Sequence, residues 1–531
     1  MKPVILTPEK AAELVVDGVT IATATVGLAG CAESVVKCIE KNFLETGHPK
    51  GLTLMHGAGS HGPNKTGSVH FCHEVMTKRY IVAHWGRAAE WVELIDSNKI
   101  ECYCFSQGTI VHMFRSNASG QPGHISKSGI GTFIDPRQEG GKMNQLTRDN
   151  GEDLVELIKI AGEEYILYKA IPIDIALIRG TYADEDGNIT MDEEAVRLEV
   201  MPVVLACKRH GGKVICQVKQ IVKNGCLNPR SVVVPGNFID VLVECPSPEK
   251  EHRMTALQYY HPAYIGKIRL TEDKLPGIPV PMSIRKVIGR RAAMEAYRGA
   301  LCNVGVGIPY DTVSKILYEE GIRKDITFTV ETGVYGGVLP HADDFGASFN
   351  FDSMLDHQTQ FDFYNGVGVS IAFMGVGEVD QNGNCNASKM GEKITGCGGF
   401  VDITQNAKKT VFCTTFTAKG LDVTWDMQNG IRIIKEGSIK KFVKKLDQIT
   451  YNADFARDAG HEMIIVTERA VFVLTKTGIK LIEIAKGIDL QKDILDQMGF
   501  IPEISENLKE IDSIIYSNGL IGLKEKLGCS E

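Results

Sequence analysis

ITFTVETGVYGGVLP, running from Ile326 to Pro340, is the stretch on which the reading of this chain turns. Ile326, Thr327, Phe328, Thr329 and Val330 are β-branched or aromatic, which predicts a buried strand. The strand runs directly into Glu331, and Gly333, Gly336 and Gly337 follow it. Glycines there let the backbone turn sharply and let another molecule come close. A carboxylate at the C-terminal end of a buried strand, with a glycine-lined turn beyond it, occupies the position where open α/β sheets hold ligands. The alternative is a loop glutamate that only caps a turn, and this stretch alone does not separate the two.

Working outward, the same plan occurs twice. Near the N-terminus, Thr7 caps a helix over Ala11 to Val16 that stops at Gly18. A strand (Val19 to Thr25), a small-residue turn (Gly27 to Gly30), a helix (Ala32 to Glu45) and a second strand (Leu52 to Met55) follow. From Ser283 the order returns: a helix over Ile284 to Arg298, a strand over Leu301 to Val304, the turn Gly305 to Pro309, and a helix over Asp311 to Glu320. Further on, DIALIRGTYADEDGNIT (Asp174 to Thr190) pairs with VSIAFMGVGEVDQNGNCN (Val369 to Asn386), each a strand ending in DxxGN. Each is followed by another strand, Lys213 to Val218 and Thr410 to Thr415. The expected fold class is therefore α/β, two homologous open α/β domains in tandem, at 1–245 and 283–520. Six of the 19 prolines fall between Pro246 and Pro281, so 246–282 reads as an extended linker or arm, and 521–531 as a short helix and frayed tail.

Composition narrows the function. The chain has 531 residues, is 43% hydrophobic and 23% charged, and carries a net charge of −8 with no basic block, which argues against nucleic-acid binding. Its 14 cysteines include no CxxC pair, a pattern of buried thiols in a reducing cytoplasm, with no metal site expected. The N-terminal MKPVILTPEK lacks a signal-peptide core, and no apolar run is long enough to span a membrane.

Several motifs mislead. HGAGSHG contains a literal GxGxxG at Gly57, Gly59 and Gly62, but Pro63, Asn64 and Gly67 follow, so no helix opens to receive a pyrophosphate. There is no P-loop, GxSxG or HExxH motif, and His70 and His73 read as structural histidines. Glu378 is the rival carboxylate, but its neighbours Asp380, Asn382 and Asn384 read as a solvated turn.

Three stretches taken together are more specific: VETGVYGG around Glu331, GCGGFVDI at Gly396 to Ile403, and the SQGTIVHMF…GGKMN passage from Ser106 to Asn144. In their order along the chain they closely resemble the family I coenzyme A transferases, most of all the single-chain acetate or propionate type. The resemblance covers nearly the whole chain and implies a NagB-like fold in each half. It implies that Glu331 is the catalytic glutamate, and that Gly398 and Gly399, with Gly396 and Phe400, lie near CoA and help form an oxyanion site. It further implies CoA contacts at Asn303, Val304, Gly305, Val306, Gly307 and Lys419, and carboxylate-substrate contacts at Gln107, Gly57 and Ala58. Where some relatives carry an NNAG turn with an asparagine oxyanion donor, this chain has His56, Gly57, Ala58, Gly59, so that role passes to backbone N–H groups or is filled differently.

The implied reaction needs no permanently bound cofactor, since acyl-CoA is itself a substrate and the partners are acyl-CoA and short-chain carboxylic acids. One thioester is exchanged for another through a carboxylate nucleophile, with ping-pong kinetics. Phe345 to Phe351 and Gln360 to Gly368 are candidate pocket walls, or ordinary core. An acyl-CoA hydrolase on the same fold, or a CoA- or sugar-phosphate-binding regulator without catalysis, are the competing readings. By resemblance the chain is expected to be a cytoplasmic homotetramer.

Overall fold

Two sheets of ten strands each carry the fold, in a computed structural model that describes residues 2–275, 278–391 and 393–528. In the first, parallel strands lie in the order Val4–Ile5, Val241–Glu244, Lys213–Val222, Ile175–Asp184, Thr20–Thr23, Leu52–His56, Thr77–Val82 and Glu101–Tyr103. The second runs Ser353–Met354, Val334–Tyr335, Thr327–Thr329, Leu301–Val304, Ile371–Gly375, Lys409–Cys413, Glu462–Val466, Ala470–Leu474, Ile479–Ile484 and Glu503–Glu510.

The duplication is visible in the strand order. In the first half, the chain leaves Thr20–Thr23 for Leu52–His56 on one side, then crosses back to Ile175–Asp184, Lys213–Val222 and Val241–Glu244 on the other. In the second half, Leu301–Val304 leads to Thr327–Thr329, and then back across to Ile371–Gly375, Lys409–Cys413 and Glu462–Val466. Each half therefore has a switch point beside its first long strand, where a crevice opens at the strand ends. The HGAG turn after Leu52–His56 and the VETG turn after Thr327–Thr329 occupy equivalent places.

The two DxxGN turns repeat in atomic detail. Asp184 accepts the N–H groups of Asp186 (3.1 Å) and Asn188 (2.9 Å) and the Asn188 amide (2.8 Å). Asp380 accepts those of Asn382 (2.9 Å) and Asn384 (2.9 Å) and the Asn384 amide (3.0 Å). The second turn is solvated only in part: Asn382 is exposed, whereas Asp380 and Asn384 are buried. Glu378 is tied to the Asn386 amide at 2.7 Å, a structural partner that fits its bland reading.

Other expectations shift. The Ile284 helix ends at Ala293, short of Arg298, and the Asp311 helix is a π turn at Pro309–Val313 continued by Ser314–Glu319. The 246–282 passage is no free arm in its described residues. Met254, Ala263, Tyr264 and Leu275 form a small core with Val338, Ala347 and Phe349 of the same chain. Asp344 fastens it, accepting from the Leu257 N–H (2.9 Å) and the Tyr264 hydroxyl (3.1 Å). Phe349 is thus core and not pocket wall. In the tail, Leu523–Lys526 is helical, and residues 529–531 lie outside the described part.

Candidate active site

Thr327–Thr329 forms an inner strand, parallel to Leu301–Val304 and antiparallel to Val334–Tyr335, and its branched and aromatic side chains suit a strand packed on both faces. Just past its end, the Gly333 N–H bonds back to the Val330 carbonyl at 2.9 Å, a tight turn with Glu331 at its first corner. Gly333 has φ +98°, and a Cβ there would meet the Leu355 carbonyl oxygen at 2.2 Å, so only glycine fits.

Glu331 is 6% exposed, and its Oε2 has no hydrogen-bond partner among the described residues. Burial pushes its carboxyl up to about 7, against the opposing pull of its own backbone N–H and of the Asn303 amide. Beneath it, the Tyr364 hydroxyl joins the Asn303 amide (2.9 Å) to the Thr329 hydroxyl (2.9 Å), bracing the two strands that carry the site.

The GCGGF turn covers this glutamate. A Cβ on Gly399 would lie 3.2 Å from Glu331 Cγ and 3.3 Å from Ile403 Cδ1, so the missing side chain leaves room for the Glu331 side chain. Gly399 leads into the Phe400–Asn406 helix, whose Asp402 is fully buried. Asp402 accepts from the Ser106 hydroxyl and from the Gly108 N–H (2.7 Å), and burial raises its carboxyl above the usual range. Gly398 donates its N–H to the Ala83 carbonyl (2.8 Å), and its own carbonyl accepts the Gln107 N–H (2.9 Å). The two halves are thus sewn together at the site. This seam corrects one expectation: the Gly398 N–H is already committed, so of these two glycines only Gly399 is left to offer one to an oxyanion.

The first half supplies the other wall. Gln107 begins the Gln107–Ala118 helix, and its Nε2 lies 2.8 Å from His357 Nε2. His357 begins the His357–Gly366 helix, and its Nδ1 lies 2.5 Å from Glu199 Oε2. Gly57 is buried, and a Cβ there would meet the other Glu199 oxygen at 3.0 Å. Ala58 is buried beside it, its carbonyl bonded to the His56 imidazole.

Glu331, Gly399, Gln107, Gly57 and Asn303 therefore gather around one crevice. Asn303 and Val304 are buried in their strand. Gly305 packs against Met374, Val306 is 49% exposed, and Gly307 continues the turn with φ +109°. Lys419 is exposed on a turn closed by the Ser438 N–H at 3.1 Å, and no described contact ties it to the cluster. Sequence reasoning missed Asp402, His357 and Glu199. Asp402 sits within the quoted GCGGFVDI motif and was available. His357 and Glu199 are dispersed single residues that only the fold joins. A separate cleft of about 770 Å³, lined by His112, Arg115, His124, Lys127 and Asp362 among others, contains none of these site residues.

Comparison with known proteins bears on this geometry. Residues 5–245 match the family model described as Coenzyme A transferase. The chain is 42% identical over 530 residues to caffeate CoA-transferase of Acetobacterium woodii, covering 98% of this chain and 99% of that protein. It is 38% identical over 495 residues to the acetate CoA-transferase YdiF of Escherichia coli K12, covering 92% and 91%. The crystal structure of the acyl-CoA transferase YdiF of Escherichia coli O157:H7, a thioester complex with CoA, matches with a TM-score of 0.90 and 36% identity over 98% of this chain and 97% of that one.

Proposed function

The chain belongs to the coenzyme A transferase family, and on that premise we propose that it moves CoA from a short-chain acyl-CoA to a free short-chain carboxylate through a glutamyl-CoA thioester on Glu331. The observation that carries the proposal is the buried Glu331, with Oε2 unpartnered and Gly399 pressed against its side chain.

In this reading Glu331 attacks the thioester carbonyl, the C–S bond breaks, and CoA thiolate leaves an acyl–glutamyl anhydride. The thiolate then attacks the glutamyl carbonyl, a C–O bond breaks, and the first acid departs. The acceptor acid runs both steps in reverse, so the kinetics are ping-pong. A buried carboxylate with one oxygen left without a hydrogen bond is poorly stabilised as an anion, which raises its reactivity once ionised. The Gly399 N–H is the donor of the GCGGF turn assigned to the developing oxyanion, a contact worth about 3–4 kcal/mol in other enzymes. Gly57 and Ala58 face the acid, and the exposed Val306 with Gly305 and Gly307 faces CoA. Lys419 reaches the far end of CoA.

Relatives named for caffeate and for acetate leave the acid open, and one methylene changes selectivity by only about 1–3 kcal/mol. We extend the proposal to a homotetramer working in the cytoplasm without a resident cofactor. The cysteines among the described residues are all free, and no helix among them is long and apolar enough to cross a membrane. Light scattering on the purified chain tests the assembly. The mechanism is tested by incubating the protein with acyl-CoA and no acceptor, then seeking CoA mass on the Glu331 peptide. Borohydride reduction of that thioester inactivates the enzyme if the reading is right. CoA release without any adduct would refute it.

A further inference from the structure

Beside Glu331 lies a chain of three buried polar side chains, two of which, Glu199 and His357, the thioester exchange does not itself use. Glu199 and His357 are each 0% exposed, and Gln107 is 4% exposed. Three separate segments contribute them: the turn before the Val200–Arg209 helix, the first turn of the His357–Gly366 helix, and the first turn of the Gln107–Ala118 helix. We propose that Glu199 and His357 are positioning residues that fix which end of the Gln107 carboxamide meets the carboxylate bound or released at Glu331. The inference rests on the reading of Gln107 as a contact of the acid.

The donors and acceptors along the three side chains fix the direction of the Gln107 carboxamide. A carboxylate only accepts, so the 2.5 Å contact to Glu199 Oε2 sets the proton on His357 Nδ1. The Gln107 nitrogen can only donate, so its place 2.8 Å from His357 Nε2 makes that ring nitrogen the acceptor, with a bare lone pair. That lone pair takes an N–H from Gln107 at 2.8 Å, which fixes the amide with its nitrogen toward the ring. One N–H of Gln107 is left for an oxygen of the bound acid. Flipped, Gln107 would turn its carbonyl oxygen toward that acid, and two acceptors repel.

The surroundings keep this arrangement single. Leu198, just before Glu199, has φ +57°, a conformation that is costly for leucine, and its carbonyl accepts the His357 N–H at 3.3 Å. The missing side chain at Gly57 leaves the space that Glu199 Oε1 borders at 3.0 Å from the Cβ position. The Phe361 ring packs against the imidazole with centroids 5.4 Å apart.

Two measurements test the proposal. In wild type, the ¹⁵N and ¹H side-chain resonances of His357 should report the Nδ1–H tautomer, and the Nε2–H tautomer would overturn the assignment. In a double-mutant cycle, Glu199→Gln and Gln107→Ala should each lower kcat/KM for the acceptor acid by about 10- to 100-fold, the range for one hydrogen bond to a charged group. The double variant should fall within about threefold of Gln107→Ala alone, because both changes remove the same contact. Multiplicative losses would overturn the coupling, as would an unimpaired Gln107→Ala. Glu199→Gln keeps the shape of the side chain, and the resonance assignment needs no variant, so a folding failure leaves the test standing. CoA mass on the Glu331 peptide separates the two readings. Its absence from wild type refutes the nucleophile, whereas its presence alongside multiplicative losses refutes only the positioning role.

Discussion

Replacing Glu331 by glutamine should make the protein inactive and, above neutral pH, more stable. Below pH 4.5 the carboxyl is protonated in the folded and unfolded chains alike, and its burial carries no charge penalty. As pH rises, the unfolded chain ionises first, because burial holds the folded group up to about 7. Stability therefore falls between those two values and stops falling once the folded carboxyl also ionises. The loss amounts to about 3 kcal/mol. Glutamine is neutral throughout and escapes it. For cooperative unfolding of 531 residues this corresponds to about 3 °C in Tm. The assay is differential scanning calorimetry of wild type and Glu331→Gln at pH 4 and pH 8. The difference between the two proteins should grow by that amount in favour of the variant. A difference that stays constant or shrinks would refute the argument that Glu331 is an uncompensated buried acid.

Four further outcomes follow from the same geometry. The kcat/KM for acyl-CoA should climb about tenfold per pH unit below pH 7 and level off above it, and a flat profile from pH 5 to 8 would contradict a Glu331 nucleophile with its carboxyl held up to about 7. Gly399→Ala, at a backbone φ of −82° that alanine accepts, puts a methyl 3.2 Å from Glu331 Cγ and should cut kcat by about 10- to 100-fold with Tm unchanged. Tyr364→Phe removes the hydroxyl shared by Asn303 and Thr329 and should lower stability by about 1–3 kcal/mol, measured by urea unfolding. Glu331→Asp, one methylene shorter, should fold normally and retain almost no activity in the coupled transferase assay.

Much of this was legible in the chain itself because its signals are local. A run of branched residues ending at Glu331 needs nothing distant to specify a strand and a turn. The repeated DxxGN turns are closed by their own aspartates, so Asp184 and Asp380 could be matched before any fold was known. What escaped depends on contacts across long separations. Glu199 and His357 lie 158 residues apart, and neither stands in a distinctive motif. The commitment of the Gly398 N–H to Ala83 likewise depends on how the two halves dock. Proline content made 246–282 look like an arm, because composition shows where a helix cannot continue but not what the chain packs against. Tyr264 and Asp344 supply that answer.

The seam between Gln107 and Gly398 has a consequence for the order in which the protein comes into being. Gln107 leaves the ribosome first, Glu331 much later and Gly399 last, and domains fold as they emerge. A growing chain thus carries Glu331 for a time without the glycine turn that covers it. Until the GCGGF turn docks onto Ala83 and Gln107, the carboxylate lacks one of its walls.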